Sequence, residues 1–254
     1  MRSHLHAEWT KLRTLAGTGW LLLTIVALTV AVSVTASAVV SCASAGCGYD
    51  PAEISLFGVQ VSQAVVAILA VLAITAEYST GMVRVTLTAM PRRTAVLAAK
   101  AIVLTGLTLA AGSVAVIASA LAARRVLLGN GFTPELLSLT SGPMLRAAVG
   151  SVLYLALIAL LSLGVATAVR DSATAIGIVL GLLYLFPGLI LMVADEDWQR
   201  LLWQISPMNA GLAIQATTNL TSLPLTPWAG LGVLAAWATA AMASGGLLLR
   251  KRDA

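Results

Sequence analysis

Six uncharged apolar stretches constrain this chain most, because a helix needs roughly 20 apolar residues to cross the hydrocarbon core of a bilayer. They cover residues 20–40, 57–76, 101–123, 147–169, 174–194 and 228–249. Backbone polar groups must be satisfied internally in lipid, and the alternation of a barrel strand is absent, so the stretches predict helices. Only 10% of residues are charged, against about 25% in soluble domains. The sequence therefore predicts an all-α integral membrane protein with one transmembrane domain over residues 1–254.

Charge predicts how the six spans are oriented. With the N-terminus inside, the outside segments hold only four of the 15 basic residues, and the inside segments hold the other 11. The four are Arg124, Arg125, Arg146 and Arg200. The positive-inside rule then places both termini in the cytoplasm. The basic residues form no single patch of the kind that binds nucleic acid, so no nucleic-acid partner is predicted.

The two cysteines, Cys42 and Cys47, fall in the first outside loop. A disulfide is permitted outside the cytoplasm, and it would close a small loop at the exit of span one; two free thiols are the alternative. Metal binding is not expected, because the two histidines, His4 and His6, lie on the other side of the membrane. Residues 39–42 also resemble a lipidation site, but the preceding apolar run is longer than the roughly 7–15 residues of a signal peptide.

The N-terminal segment has the pattern of a surface helix. Apolar residues recur on one helical face at Leu5, Trp9, Leu12 and Ala16. Lys11 and other charged residues lie mostly off this face, which is typical of an amphipathic helix on the membrane surface. The sequence predicts such an interface helix over residues 1–17, with an unstructured basic tail as the alternative.

The inside loop between spans two and three begins at Glu77. Gly81 permits the chain to change direction, and Met82 to Met90 then predict about two helical turns. Pro91 ends that element because it has no backbone donor, and Arg92 and Arg93 follow at the interface. A short helix held rigidly between two spans would give a cytoplasmic partner an element to push.

The long outside segment between spans five and six predicts a helical hairpin. Asp195, Glu196 and Asp197 begin a helix whose apolar residues are Trp198, Leu201, Leu202 and Ile205. Ser206 and Pro207 are a start signal for a second helix, expected over Met208 to Thr218. The hairpin would dip into the outer leaflet or cap the bundle.

Few features of the span interiors point to chemistry. Gly177 and Gly181 form a GxxxG pattern that permits close helix approach, although glycine is common in membrane helices. Polar or aromatic candidates for a substrate path are Gln60 and Gln63 in span two, and Tyr184, Phe186 and Pro187 in span five; helix packing is the alternative role. No ionisable residue lies inside a predicted span, which argues against an ion-coupled carrier or an intramembrane enzyme.

The residues after span two carry a resemblance to a known family. Glu77-Tyr78, Gly81, Leu87 and Pro91-Arg92-Arg93 resemble the acidic–aromatic, glycine and proline–basic pattern of permease subunits of type-2 ABC exporters, particularly the small actinobacterial ones. Residues 7–14 and 250–253 look like the same family. Ser79 and Met82 depart from it, where members often have Arg and Thr. The resemblance covers essentially the whole chain.

The resemblance implies a mechanism and its partners. Two permease subunits, identical or different, would surround a path lined by spans two and five, in the cytoplasmic membrane of a bacterium. Two copies of a cytoplasmic ABC ATPase would bind ATP and Mg, because this chain has no GxxxxGK[ST] loop and no catalytic centre or cofactor of its own. The short helix between spans two and three would be a coupling helix. The residues expected to contact the ATPase are Trp9, Lys11, Glu77, Gly81, Arg84, Pro91, Arg92 and Arg93.

The cargo would be hydrophobic or amphipathic, such as a lipid, a peptide or an antibiotic-like molecule, because the predicted path is mostly apolar. Multidrug or antibiotic export would be the biological setting. The charged residues could instead only anchor the spans at the interface. A different kind of protein also fits: a membrane sensor, immunity or scaffold subunit that binds an ATPase and transports nothing.

Overall fold

A computed structural model describes residues 9–10, 16–41, 48–79, 93–132 and 141–252. These residues form helices and their connections, with no strand among them. Six helices are long and apolar enough to cross a membrane, which confirms the prediction of an all-helical, six-span protein. The predicted surface helix over residues 1–17 and the short helix from Met82 to Met90 lie outside the described residues, apart from Trp9 and Thr10, which are helical.

The spans agree with the apolar stretches in number and order. They are span one, Ala16–Val39; span two, Gly58–Ser79; span three, Arg93–Gly129; span four, Gly142–Val169; span five, Ser172–Ile190; and span six, Pro227–Arg252. A short helix, Pro51–Leu56, precedes span two. Because six spans alternate in direction, the start of span one, the turn at Arg170 and the end of span six share one face, called here the terminal face. The connections after spans one, three and five lie on the opposite face.

Spans three and five differ in length from the predicted stretches. Span three begins at Arg93 rather than near residue 101 and runs to Gly129, so Lys100 lies inside a membrane-spanning helix. Lys100 lies one residue before the predicted stretch of span three, so the helix carries an ionisable side chain beside that stretch. Span five ends at Ile190 rather than near residue 194, because Asp195 already caps the following helix.

Span four lies at the centre of the bundle and packs against spans two, three, five and six. About three fifths of the residues in its most apolar part are buried by other helices of the chain. In spans one, five and six, by contrast, most residues of the corresponding part are not covered by the rest of the chain. Span one packs on spans two and three. The core is thus built around one central helix, with spans five and six on its outside.

Glycine allows close approach at particular helix crossings. A Cβ added at Gly164 of span four would lie 2.4 Å from the Ala241 carbonyl carbon of span six, and one at Gly245 would lie 2.6 Å from the Gly164 carbonyl oxygen. By contrast, a Cβ at Gly177 or Gly181 would meet nothing within 4 Å. The GxxxG pattern therefore makes no close contact within the chain, and spans four and six approach through other glycines.

Span five contains a widened turn. Its backbone is α-helical over Ser172–Leu180, π-helical over Gly181–Leu185 and α-helical again over Phe186–Ile190. The Phe186 N–H donates to the Gly181 carbonyl, five residues back. Pro187 follows at once; since a proline ring clashes with the carbonyl four residues earlier, the wider turn makes room for it.

The connection between spans five and six folds into two helices. The first linker helix, Glu196–Ile205, is capped by the Asp195 side chain, and the second, Pro207–Leu212, is capped by Ser206. The second helix was expected to continue to Thr218 but gives way to a 3-10 turn over Ala213–Gln215. The chain becomes extended at Ala216, because the next two backbone N–H groups donate to Asp50 instead of continuing the helix.

Candidate functional site

The end of span two on the terminal face carries a buried ion pair. Lys100 Nζ lies 2.9 Å from Glu77 Oε1, and the two side chains are only 3% and 12% exposed. The same ammonium donates to the Ala73 carbonyl at 2.9 Å. One lysine of span three therefore contacts span two at a carboxylate and at a backbone carbonyl one turn deeper. We call this arrangement the Lys100 clamp.

Burial explains why these two residues pair. An isolated charge in a low-dielectric interior is costly, and such charges persist when they are paired and hydrogen-bonded. Glu77 was predicted from the sequence as a functional residue, but Lys100 was not, because the predicted span begins one residue after it. The sequence does contain a signal for this pair. Glu77 directly follows the apolar stretch of span two and Lys100 directly precedes that of span three, so the antiparallel spans bring both residues to the terminal face.

Span four joins the same end of span two. The Arg170 guanidinium lies 5.4 Å from the centre of the Tyr78 ring, within the range of a cation–π contact. Arg170 ends span four with a left-handed backbone at φ 67°. Asp171 caps span five through a 2.7 Å hydrogen bond from the Thr174 N–H, which lowers the pKa of the Asp171 carboxyl.

Few of the predicted ATPase contacts fall on described side chains. Glu77 is held in the clamp, and Trp9 is 46% exposed. Arg93 begins span three, but its side chain is outside what the structure describes. Lys11, Gly81, Arg84, Pro91 and Arg92 also lie outside the described residues, so their roles stay predictions.

The path candidates of spans two and five lie together. The Tyr154 hydroxyl of span four donates to the Gln63 side-chain oxygen, and both residues are fully buried. The Tyr184 hydroxyl donates to the Gln60 carbonyl at 2.8 Å. Hydrogen bonds thus link span two to spans four and five. Tyr154 was not predicted from the sequence, because nothing in a uniform apolar stretch marks which face of the helix meets Gln63.

Phe186 lies apart from this polar group, in an apolar groove between spans five and six. The groove has a volume of about 650 Å³. Leu161 and Val165 of span four belong to its lining, together with Phe186 and with Trp237 of span six. The Trp237 indole is held by a 2.9 Å hydrogen bond to the Ile205 carbonyl. Such a lining suits an apolar molecule and offers little for specific polar recognition.

On the opposite face, Asp50 joins the loop before span two to the connection between spans five and six. The sequence did not predict this role. The Asp50 carboxylate accepts from the Thr217 N–H and hydroxyl, from the Thr218 N–H at 2.8 Å, and from the Ala52 N–H at 3.0 Å. Arg146 donates to the adjacent Ala216 carbonyl. Asp50 therefore caps the short helix before span two and fastens the span five–six connection to it.

The described residues show neither a group of metal ligands nor the two cysteines. Over the described ranges, no three His, Cys, Asp or Glu residues are grouped so that they could hold a metal ion. Cys42 and Cys47 lie outside those ranges, and their proposed disulfide stays a prediction. Comparison with known families and with curated proteins finds no match to this sequence.

Proposed function

We propose that the chain is the permease subunit of an ATP-driven exporter of the type-2 ABC class. The observation that carries the proposal is the position of Glu77. It lies in the last turn of span two, in a buried ion pair, immediately before the segment of residues 80–92 that bears the family-like pattern. The same ion pair ties span two to span three, the two helices that flank this segment, and such a tie suits the transmission of movement from a cytoplasmic partner.

The partners follow from this assignment. The terminal face is cytoplasmic, in the membrane of a bacterial cell, and two ABC ATPase subunits bind there. ATP and Mg belong to those subunits, and hydrolysis occurs on them rather than on this chain. A second permease subunit, the same chain or a different one, completes the path.

The cargo in this proposal is hydrophobic or amphipathic. Span two and span five would line the path, with Gln60 and Tyr184 as its polar points and the remaining surface apolar. Gln63 is fully buried against Tyr154 and would hold span two in place beside the path. A path of this kind favours a lipid, a peptide or an antibiotic-like molecule over an ion, since an ion needs charged or carbonyl groups to replace its hydration shell.

The first linker helix belongs at the outer membrane surface. Three of its apolar side chains are exposed, Trp198 at 60%, Leu201 at 44% and Ile205 at 43%. Tryptophan is enriched where hydrocarbon meets headgroups, so this face would lie on the outer leaflet. The second linker helix is largely buried against spans four and six and caps the bundle.

Affinity purification of the tagged chain in mild detergent tests the proposal. We expect a soluble protein with a GxxxxGK[ST] sequence to co-purify in stoichiometric amount, with ATPase activity that rises on addition of the cargo. A chain that purifies alone in several detergents would contradict the proposal. An ATPase that binds but never responds to any cargo would favour the sensor, immunity or scaffold alternative.

A further inference from the structure

Lys100 is a buried lysine within a membrane-spanning helix. It lies about two turns after span three begins at Arg93, and it is 2% exposed. Its Nζ makes two 2.9 Å contacts, with Glu77 Oε1 and with the Ala73 carbonyl. Ionisable residues in such positions are rare and usually functional.

Stability gives little reason to keep a charged pair at this place. Replacing a buried ion pair by apolar residues of similar volume is often neutral or stabilising. The neighbouring turns of both helices use apolar residues for packing, among them Ile74 and Leu97, each 6% exposed. An ion pair differs from such packing because it is directional. It joins two particular atoms, Lys100 Nζ and Glu77 Oε1, and so fixes how far one helix is shifted along the other.

The clamp lies directly at the base of the segment of residues 80–92. Glu77 is two residues before the end of span two at Ser79, and span three begins at Arg93. The contact with the Ala73 carbonyl holds a second point one turn deeper. Span two is therefore tied close to the point where the intervening segment departs, to a residue of span three about two turns after the segment returns.

We propose that Lys100 is a positioning residue that couples the two helices flanking this segment. By holding Glu77 and the Ala73 carbonyl, it makes the ends of spans two and three move together when the segment between them is displaced. This inference rests on the proposed function, in which an ATPase displaces that segment. It also gives Glu77 a role within the helix pair, since its Oε1 accepts from the Lys100 ammonium.

The decisive variant removes both charges together. Changing Lys100 alone would leave the Glu77 carboxylate buried without its lysine and would confound folding with function. The double variant Glu77→Leu, Lys100→Met replaces the pair by apolar side chains of similar size. Lys100→Arg, which keeps the charge, tests rescue, and Lys251→Met is the matched control, since Lys251 is exposed near the end of span six.

The first readout needs only this chain. Trypsin cleavage at Arg84, Arg92 and Arg93 reports how firmly the segment is held, because cleavage tracks local opening. We expect the double variant to melt at the same temperature as the wild type but to be cleaved roughly fivefold faster or more, with Lys100→Arg and Lys251→Met unchanged. Equal cleavage of the wild type and the double variant would overturn the inference, as would failure of the double variant to fold.

The second readout uses the complex with its ATPase. The expected result is an intact complex in which the double variant hydrolyses roughly tenfold more ATP per exported molecule, with Lys100→Arg near the wild-type ratio. A wild-type ratio in the double variant would overturn the inference. If no ATPase binds the wild-type chain, the proposed function fails, and the cleavage result alone then decides whether Lys100 positions the two helices.

Discussion

Tyr154 shows how single polar residues organise an otherwise apolar bundle. Its hydroxyl donates to the Gln63 side chain, and both residues are fully buried. Most other buried hydroxyls of the spans, such as Thr29 and Ser162, bond to carbonyls of their own helix and so do not join helices. The Tyr154–Gln63 bond therefore contributes to specifying how span four meets span two.

Removing this hydroxyl should destabilise the bundle. In Tyr154→Phe the Gln63 oxygen loses its donor while remaining buried, which costs about 1–3 kcal/mol. Unfolding in mixed micelles with increasing denaturing detergent measures the change. Tyr49→Phe is the control, because Tyr49 is 59% exposed and should unfold like the wild type. A wild-type unfolding curve for Tyr154→Phe would show that the bond does not stabilise the fold.

At the scale of elements, glycine lets the backbones of neighbouring spans approach closely. Gly164 and Gly245 bring spans four and six together, and Gly58 brings span two against the Thr29 carbonyl of span one. Without water between helices in lipid, such contacts supply much of the association energy through van der Waals packing. Gly177 and Gly181 have open space around them, so they contribute no such packing energy within this chain.

The two kinds of glycine should respond oppositely to alanine. Gly164→Ala places a methyl group against the Ala241 backbone, which cannot yield as a side chain would, and we expect a loss of about 1–3 kcal/mol. Gly177→Ala has space and gains helix propensity, so its stability should be equal to the wild type or higher by up to about 1 kcal/mol. The same detergent titration measures the stability of both variants. A Gly164→Ala protein more stable than the Gly177→Ala protein would contradict the close crossing of spans four and six.

Asp50 makes a second prediction at this scale, since it holds the span five–six connection. Asp50→Ala removes the acceptor for the Thr217 and Thr218 N–H groups. We expect these two amides to exchange with solvent deuterium roughly tenfold faster or more, because hydrogen bonds to a charged group are worth about 1.5–3 kcal/mol.

Asp195→Ala is the matched control for Asp50→Ala. Asp195 caps only the first linker helix, through the Asp197 and Trp198 N–H groups. Its removal should leave exchange at Thr217 and Thr218 unchanged. Equal exchange in the Asp50 variant and the wild type would mean that other contacts hold the connection.

For the whole molecule, six spans put the Arg170 turn and the linker helices on opposite sides of the membrane. In a chain with Cys42 and Cys47 changed to serine, Thr221→Cys should react with a membrane-impermeant maleimide in intact cells. Ala173→Cys, beside the turn on the terminal face, should react only after lysis. Both positions are exposed, so access to solvent is not limiting, and the opposite labelling pattern would reverse the proposed orientation.

The number of spans, their order and their helical character followed from the sequence. Each is a local property: about 20 uncharged apolar residues in lipid must form a helix. The caps at Asp195 and Ser206 could be anticipated for the same reason, since a cap bonds only to backbone a few residues away. The proposal of an exporter also began from the sequence, at Glu77 and the residues that follow it.

The partners of the polar side chains depended on how the helices meet. Lys100 was placed outside span three because hydropathy counts a lysine as a break, whereas the Glu77 carboxylate, distant in sequence, neutralises it within the bundle. Asp50 was passed over because Thr217 and Thr218, far along the chain, supply its donors. Periodicity is weak in helices that are apolar all round, so which faces meet, and which glycines approach, is decided by packing between spans rather than by any one of them.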